Sequence, residues 1–130
     1  MPRRVLVVDD EEGVRALIED TLAREGYEVH AAAHGEEGIE LFEEVAPHLV
    51  ILDFLVPRKN GFAVAEAIRA RPRGRATPII MLSGVFKNPK TAVEAREKYG
   101  VMEFLSKPID VARLETLAQQ ALAEVPADAG

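Results

Sequence analysis

Three short apolar runs recur along the chain, and each ends on a polar residue. Val5-Leu6-Val7-Val8 closes on Asp9-Asp10, Leu49-Val50-Ile51-Leu52 on Asp53, and Ile79-Ile80-Met81-Leu82 on Ser83. Uninterrupted runs of this length fit strands covered on both faces of a parallel sheet, although a buried helical segment can carry the same signature. Two weaker strands are predicted, one within 27–33, at an edge, and one over 101–106. Between the runs the spacing changes to that of amphipathic helices. Val14, Leu17, Ile18 and Leu22 form a first stripe, and Ile39, Phe42 and Ala46 a second, within 35–46. Phe62, Ala65 and Ile68 mark a third, ending before Pro72, and Ala92, Ala95 and Tyr99 a fourth. Val111, Leu114, Ala118, Ala121 and Leu122 complete a fifth. Glu11 and Glu12 suit a first helical turn, Gly26 and Gly100 are helix stops, and Asp110 is an N-cap. Residues 71–75 and 84–89 read as loops. Pro57 and Asn60-Gly61 punctuate the segment after Asp53.

Strands alternating with helices call for a doubly wound parallel sheet with right-handed crossovers. Periodicity does not give the strand order. At 130 residues the chain reads as one domain over 1–124, with 125–130 as a tail or the start of a linker.

Composition narrows the function classes. Hydrophobic content of 48% with 29% charged residues is ordinary for a globular domain. No apolar run approaches the roughly 18 residues of a membrane span, and Asp9 cuts the N-terminal apolar run too short for a signal peptide. A cytoplasmic location is the default expectation, with no membrane association. The absence of cysteine removes disulfides and thiolate metal sites. A net charge of −6 argues against direct nucleic-acid binding by this domain.

In a parallel sheet the strand ends share one edge, where ligands of open α/β folds bind. That edge would collect Asp9, Asp10, Asp53, Ser83 and Lys107. Carboxylates converging without a partner repel each other, and a hard divalent cation would relieve this. Oxygen ligands without cysteine favour Mg²⁺ or Mn²⁺ over zinc. Lys107 offers a point positive charge for an anion, and Ser83 a hydroxyl donor. The set fits phosphoryl chemistry, in which a carboxylate can be the nucleophile.

These residues, in this order, resemble a response-regulator receiver domain, the phospho-acceptor module of two-component signalling. The resemblance runs from about Val5 to about Leu122. It is carried by Val7-Val8-Asp9-Asp10-Glu11, Leu52-Asp53 with Pro57 and Gly61, Leu82-Ser83-Gly84, and Phe104-Leu105-Ser106-Lys107-Pro108. It implies a flavodoxin-like sheet of order 2-1-3-4-5. Asp53 resembles the phosphorylated aspartate. Asp9 and Asp10 resemble the acidic pair that holds Mg²⁺, with Asp53 and the backbone carbonyl of Leu55. Ser83 and Lys107 resemble the phosphate-contacting hydroxyl and lysine, Phe104 the switch aromatic, and Lys107-Pro108 the family's cis peptide. The implied partners are a sensor histidine kinase or phosphotransfer protein and a downstream effector. The implied signalling surface is formed by the fourth helix, fifth strand and fifth helix, which could also support a homodimer.

The chain departs from the family pattern in three places. Val56 stands where methionine is usual. Leu55 and Val85 make the rim of the site apolar, which leads us to expect a long-lived phosphoryl group. The 24 positions from Ser83 to Lys107 exceed the usual spacing, with the excess in 85–90. Two rival functions remain: a receiver-like interaction module that is never phosphorylated, and a metal-dependent phosphatase, for which no substrate cap or acid/base is visible. Neither a GxGxxG nor a GxxxxGK[ST] loop is present, which counts against nucleotide binding. Arg69, Arg71, Arg73 and Arg75 read as a solvated loop rather than a phosphate patch. His30, His34 and His48 read as structural or exposed. Phe86 is either local packing or a docking residue.

Overall fold

The computed structural model describes residues 2–56, 60–84 and 89–123. Pro57, the Val85 rim position, Phe86 and the tail over 125–130 lie outside the described residues. The strands are β1 (Arg4–Val8), β2 (Glu28–Ala32), β3 (Leu49–Asp53), β4 (Ile79–Ser83) and β5 (Glu103–Ser106). The helices are α1 (Glu12–Arg24), α2 (Gly35–Val45), α3 (Gly61–Arg69), α4 (Pro89–Tyr99) and α5 (Val111–Leu122), with a short 3-10 turn at Pro72–Gly74. All strand pairings are parallel, in the order β2-β1-β3-β4-β5.

The apolar runs divide by alternation into two cores, because successive strand residues face opposite sides. Leu6, Val8, Val50, Leu52, Ile79 and Met81 pack with Phe42, Val64, Ile68 and Ala95, from α2, α3 and α4. Val5, Val7, Leu49, Ile51, Ile80 and Leu82 pack with Ile18, Leu22, Leu114, Leu117, Ala118 and Leu122, from α1 and α5. All residues of β3 and β4 are buried, whereas the edge strand β2 is mostly half-buried. Gly26 and Gly100 follow α1 and α4 with positive φ, of 91° and 64°.

Some boundaries differ from those expected. β5 begins at Glu103 rather than residue 101, because the Val101 N–H is spent on the Ala95 carbonyl in closing α4. Pro89 is not in a loop: it is the first residue of α4, a position where its missing N–H is no loss. The arginine series is a solvated loop only in part: Arg73 and Arg75 are exposed, but Arg69 and Arg71 are tied into the fold. Arg69 donates to the Tyr99, Gly74, Thr77 and Gly100 carbonyls, tying α3 to the end of α4 and the approach to β4. Arg71 donates to the Ala67 carbonyl and pairs with Glu43. Two of the three histidines are structural, and the third lies at the surface: His34 Nδ1 caps α2 by accepting from the Glu37 N–H, buried His48 accepts the Arg4 N–H, and His30 meets Glu28 on the outside of β2.

On the α4-β5-α5 face, Glu103 joins Arg96 at 2.5 Å and Arg113 at 3.1 Å. Partial burial works to raise the Glu103 carboxyl. Hydrogen bonds from Arg96 and the Phe104 N–H, with the charges of Arg96 and Arg113, outweigh it and hold the carboxyl below its ordinary 4.5. A depressed acid contributes stability above its unfolded pKa and loses it as pH falls through the folded value. Glu103→Gln should therefore lower stability by about 0.5–1 kcal/mol at pH 7. The gap from wild type in urea midpoints should narrow as the pH drops below 4.5. A gap that is constant or widens on acidification would contradict this.

Candidate functional site

The sheet brings the five polar strand-end residues to one edge. Asp9 follows β1, Asp53 ends β3, Ser83 ends β4 and Lys107 follows β5. The register sets Asp53 beside Leu82 and Ser83 beside Ser106. Asp9, Asp53 and Ser83 are buried, with exposures of 0%, 4% and 2%, while Asp10 is exposed. Carboxylate oxygens of Asp9, Asp10 and Asp53 all lie within 4.8 Å of one another.

Lys107 is the counter-charge. Its Nζ is 2.7 Å from Glu11 Oε1, 2.8 Å from Asp9 Oδ2 and 3.4 Å from Asp53 Oδ2. Glu11 and Asp53 accept hydrogen bonds from it. Asp9 Oδ2 lies within ion-pair distance but off hydrogen-bond alignment, and it has no hydrogen-bond partner among the described residues. Burial disfavours the Lys107 ammonium, but Asp9, Glu11 and Asp53 overcome this and hold it well above the ordinary lysine value. Burial also raises the Asp53 carboxyl, and the charge of Asp9 adds to the rise. Lys107 and the Leu55 N–H oppose it without cancelling it. The result is a buried carboxylate with a raised pKa beside a lysine that its acidic neighbours keep protonated.

A cavity of about 260 Å³ opens onto these groups, lined by Asp10, Glu11, Asp53, Leu55, Gly84 and Lys107. Leu55 is half exposed on its wall. A second cavity of about 590 Å³ shares Glu11, Gly84 and Lys107 and runs along Gly13, Val14, Leu17, Pro108 and Ile109. The donor set is all oxygen and includes a buried carboxylate oxygen without a hydrogen-bond donor. Such a set fits a hard divalent cation.

Neighbouring residues fix the frame. The Lys107–Pro108 peptide is cis. Phe104 is half-buried on the side of the sheet covered by α2, α3 and α4, its ring 6.3 Å from that of Phe54. Phe54 meets Phe62 edge to face at 4.9 Å, and Phe62 stacks on Tyr99 at 4.7 Å. Asn60 caps α3 by accepting from the Ala63 N–H. Gly61 is needed for a close approach: a Cβ there would lie 2.8 Å from the Phe54 Cα. Sequence reasoning missed the part of Glu11, which it placed only in a first helical turn. The available signal was an acid directly after the Asp9-Asp10 pair.

Comparison with known proteins gives a consistent picture. The family model for the response regulator receiver domain matches residues 5–119. The regulatory protein AtoC of Escherichia coli is 32% identical over 119 residues, which cover 92% of this chain and 25% of that protein. The transcriptional regulatory protein PdtaR of Mycobacterium tuberculosis is 36% identical over 115 residues, 88% of this chain and 54% of that one. The chain thus spans a quarter to about half the length of these curated relatives. Among solved structures, the chemotaxis protein CheY4 of Vibrio cholerae superposes with a TM-score of 0.86 at 30% identity, covering 94% of this chain and 100% of that one. Strand order, matched residues and relatives all agree, and the chain belongs to the response regulator receiver domains of two-component systems.

Proposed function

We propose that the chain is the phospho-acceptor switch of a two-component phosphorelay, with Asp53 as the residue that carries the phosphoryl group. The observation that carries this reading is the placement of Asp53. It is a buried carboxylate on the wall of an open cavity, 3.4 Å from the Lys107 ammonium and within 4.8 Å of the Asp9 and Asp10 oxygens. An Asp53 oxygen attacks the phosphorus of a phosphohistidine on a sensor kinase or phosphotransfer protein. The new O–P bond forms as the P–N bond breaks, and the imidazole nitrogen leaves with the electron pair. Lys107 pairs with the transferred phosphoryl oxygens, and the Ser83 hydroxyl donates to one of them.

Asp9, Asp10, Asp53 and the Leu55 carbonyl would hold Mg²⁺, or Mn²⁺. When bound, the cation neutralises charge on the phosphoryl oxygens. Drawing Ser83 and Phe104 inward would then bias the α4-β5-α5 face between two arrangements, which a downstream effector or a second copy reads. The names of the relatives above, a regulatory protein and a transcriptional regulatory protein, support such an output. On this reading the domain catalyses only its own phosphorylation and dephosphorylation, in the cytoplasm.

Incubation with Mg²⁺ and acetyl phosphate, read by intact mass, tests the proposal. One phosphoryl group per chain is expected. It should disappear in Asp53→Asn and when Mg²⁺ is omitted. No adduct at all would favour an interaction module that works without phosphorylation. Repeated turnover of unrelated phosphomonoesters would favour a phosphatase.

A further inference from the structure

Lys107 is oversubscribed. Its ammonium lies within ion-pair distance of three carboxylates, at 2.7 Å (Glu11), 2.8 Å (Asp9) and 3.4 Å (Asp53). The shortest contact goes to Glu11, which lies outside the cluster that can hold a cation. An arriving phosphoryl group adds more negative charge and needs the same ammonium. One carboxylate must therefore give way.

The three differ in how readily they can do so. Asp9 is fully buried, and its Oδ1 is fixed by accepting the Glu11 N–H at 2.9 Å. Asp53 is also buried and is itself the acceptor. The Glu11 side chain is 59% exposed, so its carboxylate returns to water at little cost. Glu11 also lines both cavities and so stands where a small anion enters.

We propose that Glu11 is a positioning residue for phosphoryl transfer. It is an internal counter-anion that holds Lys107 in the resting state and releases it when the phosphoryl group arrives. The inference rests on the phospho-acceptor reading of Asp53. Glu11 touches neither the phosphorus nor the attacking oxygen. It acts by setting how much of the Lys107 ammonium is available to the incoming oxygens. With acetyl phosphate, an Asp53 oxygen bonds to phosphorus as the bond to acetate breaks, and acetate leaves with the electron pair. Any hold of Glu11 on Lys107 must be broken before the charge that builds on the phosphoryl oxygens is met.

The test compares the initial rates of adduct formation for wild type, Glu11→Gln and Glu12→Gln, with saturating Mg²⁺ and acetyl phosphate. A second readout is the affinity of each for beryllofluoride, a phosphoryl mimic. Glu11→Gln keeps the size of the side chain and removes its charge. It should label about two- to fivefold faster and bind beryllofluoride tighter by a similar factor, the range expected for a partly exposed ion pair. Glu12 is exposed and makes no contact with Lys107 among the described residues, so Glu12→Gln reports the general effect of removing one negative charge. Its rate should stay near that of wild type. Equal or slower labelling of Glu11→Gln, or equal acceleration in Glu12→Gln, would overturn the inference while leaving the phospho-acceptor reading intact. Failure of wild type to label or to bind beryllofluoride would overturn both.

Discussion

Gly74→Ala is expected to destabilise the domain by at least about 3 kcal/mol, at the severe end for a single methyl group. A Cβ at this position would lie 1.8 Å from the carbonyl oxygen and 2.6 Å from the carbonyl carbon of Ile68. Both are backbone atoms, so no rotamer change relieves the overlap. Ile68 is itself fully buried in the core beneath α3, which blocks retreat in the other direction. The turn must move instead, and two kinds of contact move with it. The Gly74 N–H donates to the Arg71 carbonyl, and the Gly74 carbonyl accepts from Arg69. Displacing that carbonyl loosens the guanidinium that also holds Tyr99, Thr77 and Gly100. Damage to one turn therefore reaches the end of α4 and the start of β4. Gly13→Ala is the matched control: nothing lies within 4 Å of where its methyl group would sit, and the residue is within α1. It should be neutral or stabilising by up to about 1 kcal/mol. Urea unfolding of both variants decides the matter. A Gly74→Ala protein within about 1 kcal/mol of wild type would show that the turn can yield at little cost.

What is legible in the sequence follows from the range of the interactions involved. β1, β3 and β4 are legible because each is covered on both faces, and nothing interrupts their apolar runs. The site is legible for a topological reason: parallel strands end at the same edge, so Asp9, Asp53, Ser83 and Lys107 converge whatever lies between them. Interactions that depend on distant backbone are not legible. Arg69 looks like one member of a charged loop until the Tyr99 carbonyl, 30 residues further on, reaches its guanidinium. The role of Glu11 depends on which of four consecutive acids reaches a lysine 96 residues away. The turn after β1, in which Asp9 accepts the Glu11 N–H, decides that. Gly61 and Gly74 read equally well as ordinary punctuation. Only close approach to Phe54 and Ile68 separates them from glycines that alanine could replace.

The second large effect is expected at Lys107. Its side chain is 10% exposed, and beside it lie the side chains of Asp9 and Asp53, at 0% and 5%. Lys107→Ala leaves those two carboxylates facing each other in a poorly solvated edge of the sheet. Removing one partner from a buried charge cluster typically destabilises by about 3 kcal/mol or more, because the remaining charges keep their desolvation penalty. Measured in chelator, the variant should therefore melt well below wild type. Divalent cation should then act more strongly on the variant than on wild type. In wild type Lys107 already offsets part of the negative charge, whereas in the variant Mg²⁺ held by Asp9, Asp10 and Asp53 would have to take over that neutralisation. The stabilisation by a ligand bound only to the folded state grows with its affinity, so the Mg²⁺-dependent rise in melting temperature should be larger for Lys107→Ala. Phosphoryl transfer should not recover with stability. A cation bound by the acids does not occupy the position of Nζ, and losing a charged group aimed at the developing oxygen charge lowers rates by about 10²–10³. A folded, Mg²⁺-stabilised variant that labels slowly separates the two duties of Lys107. A variant that melts like wild type in chelator would show that the acids at this edge are solvated well enough not to need the lysine.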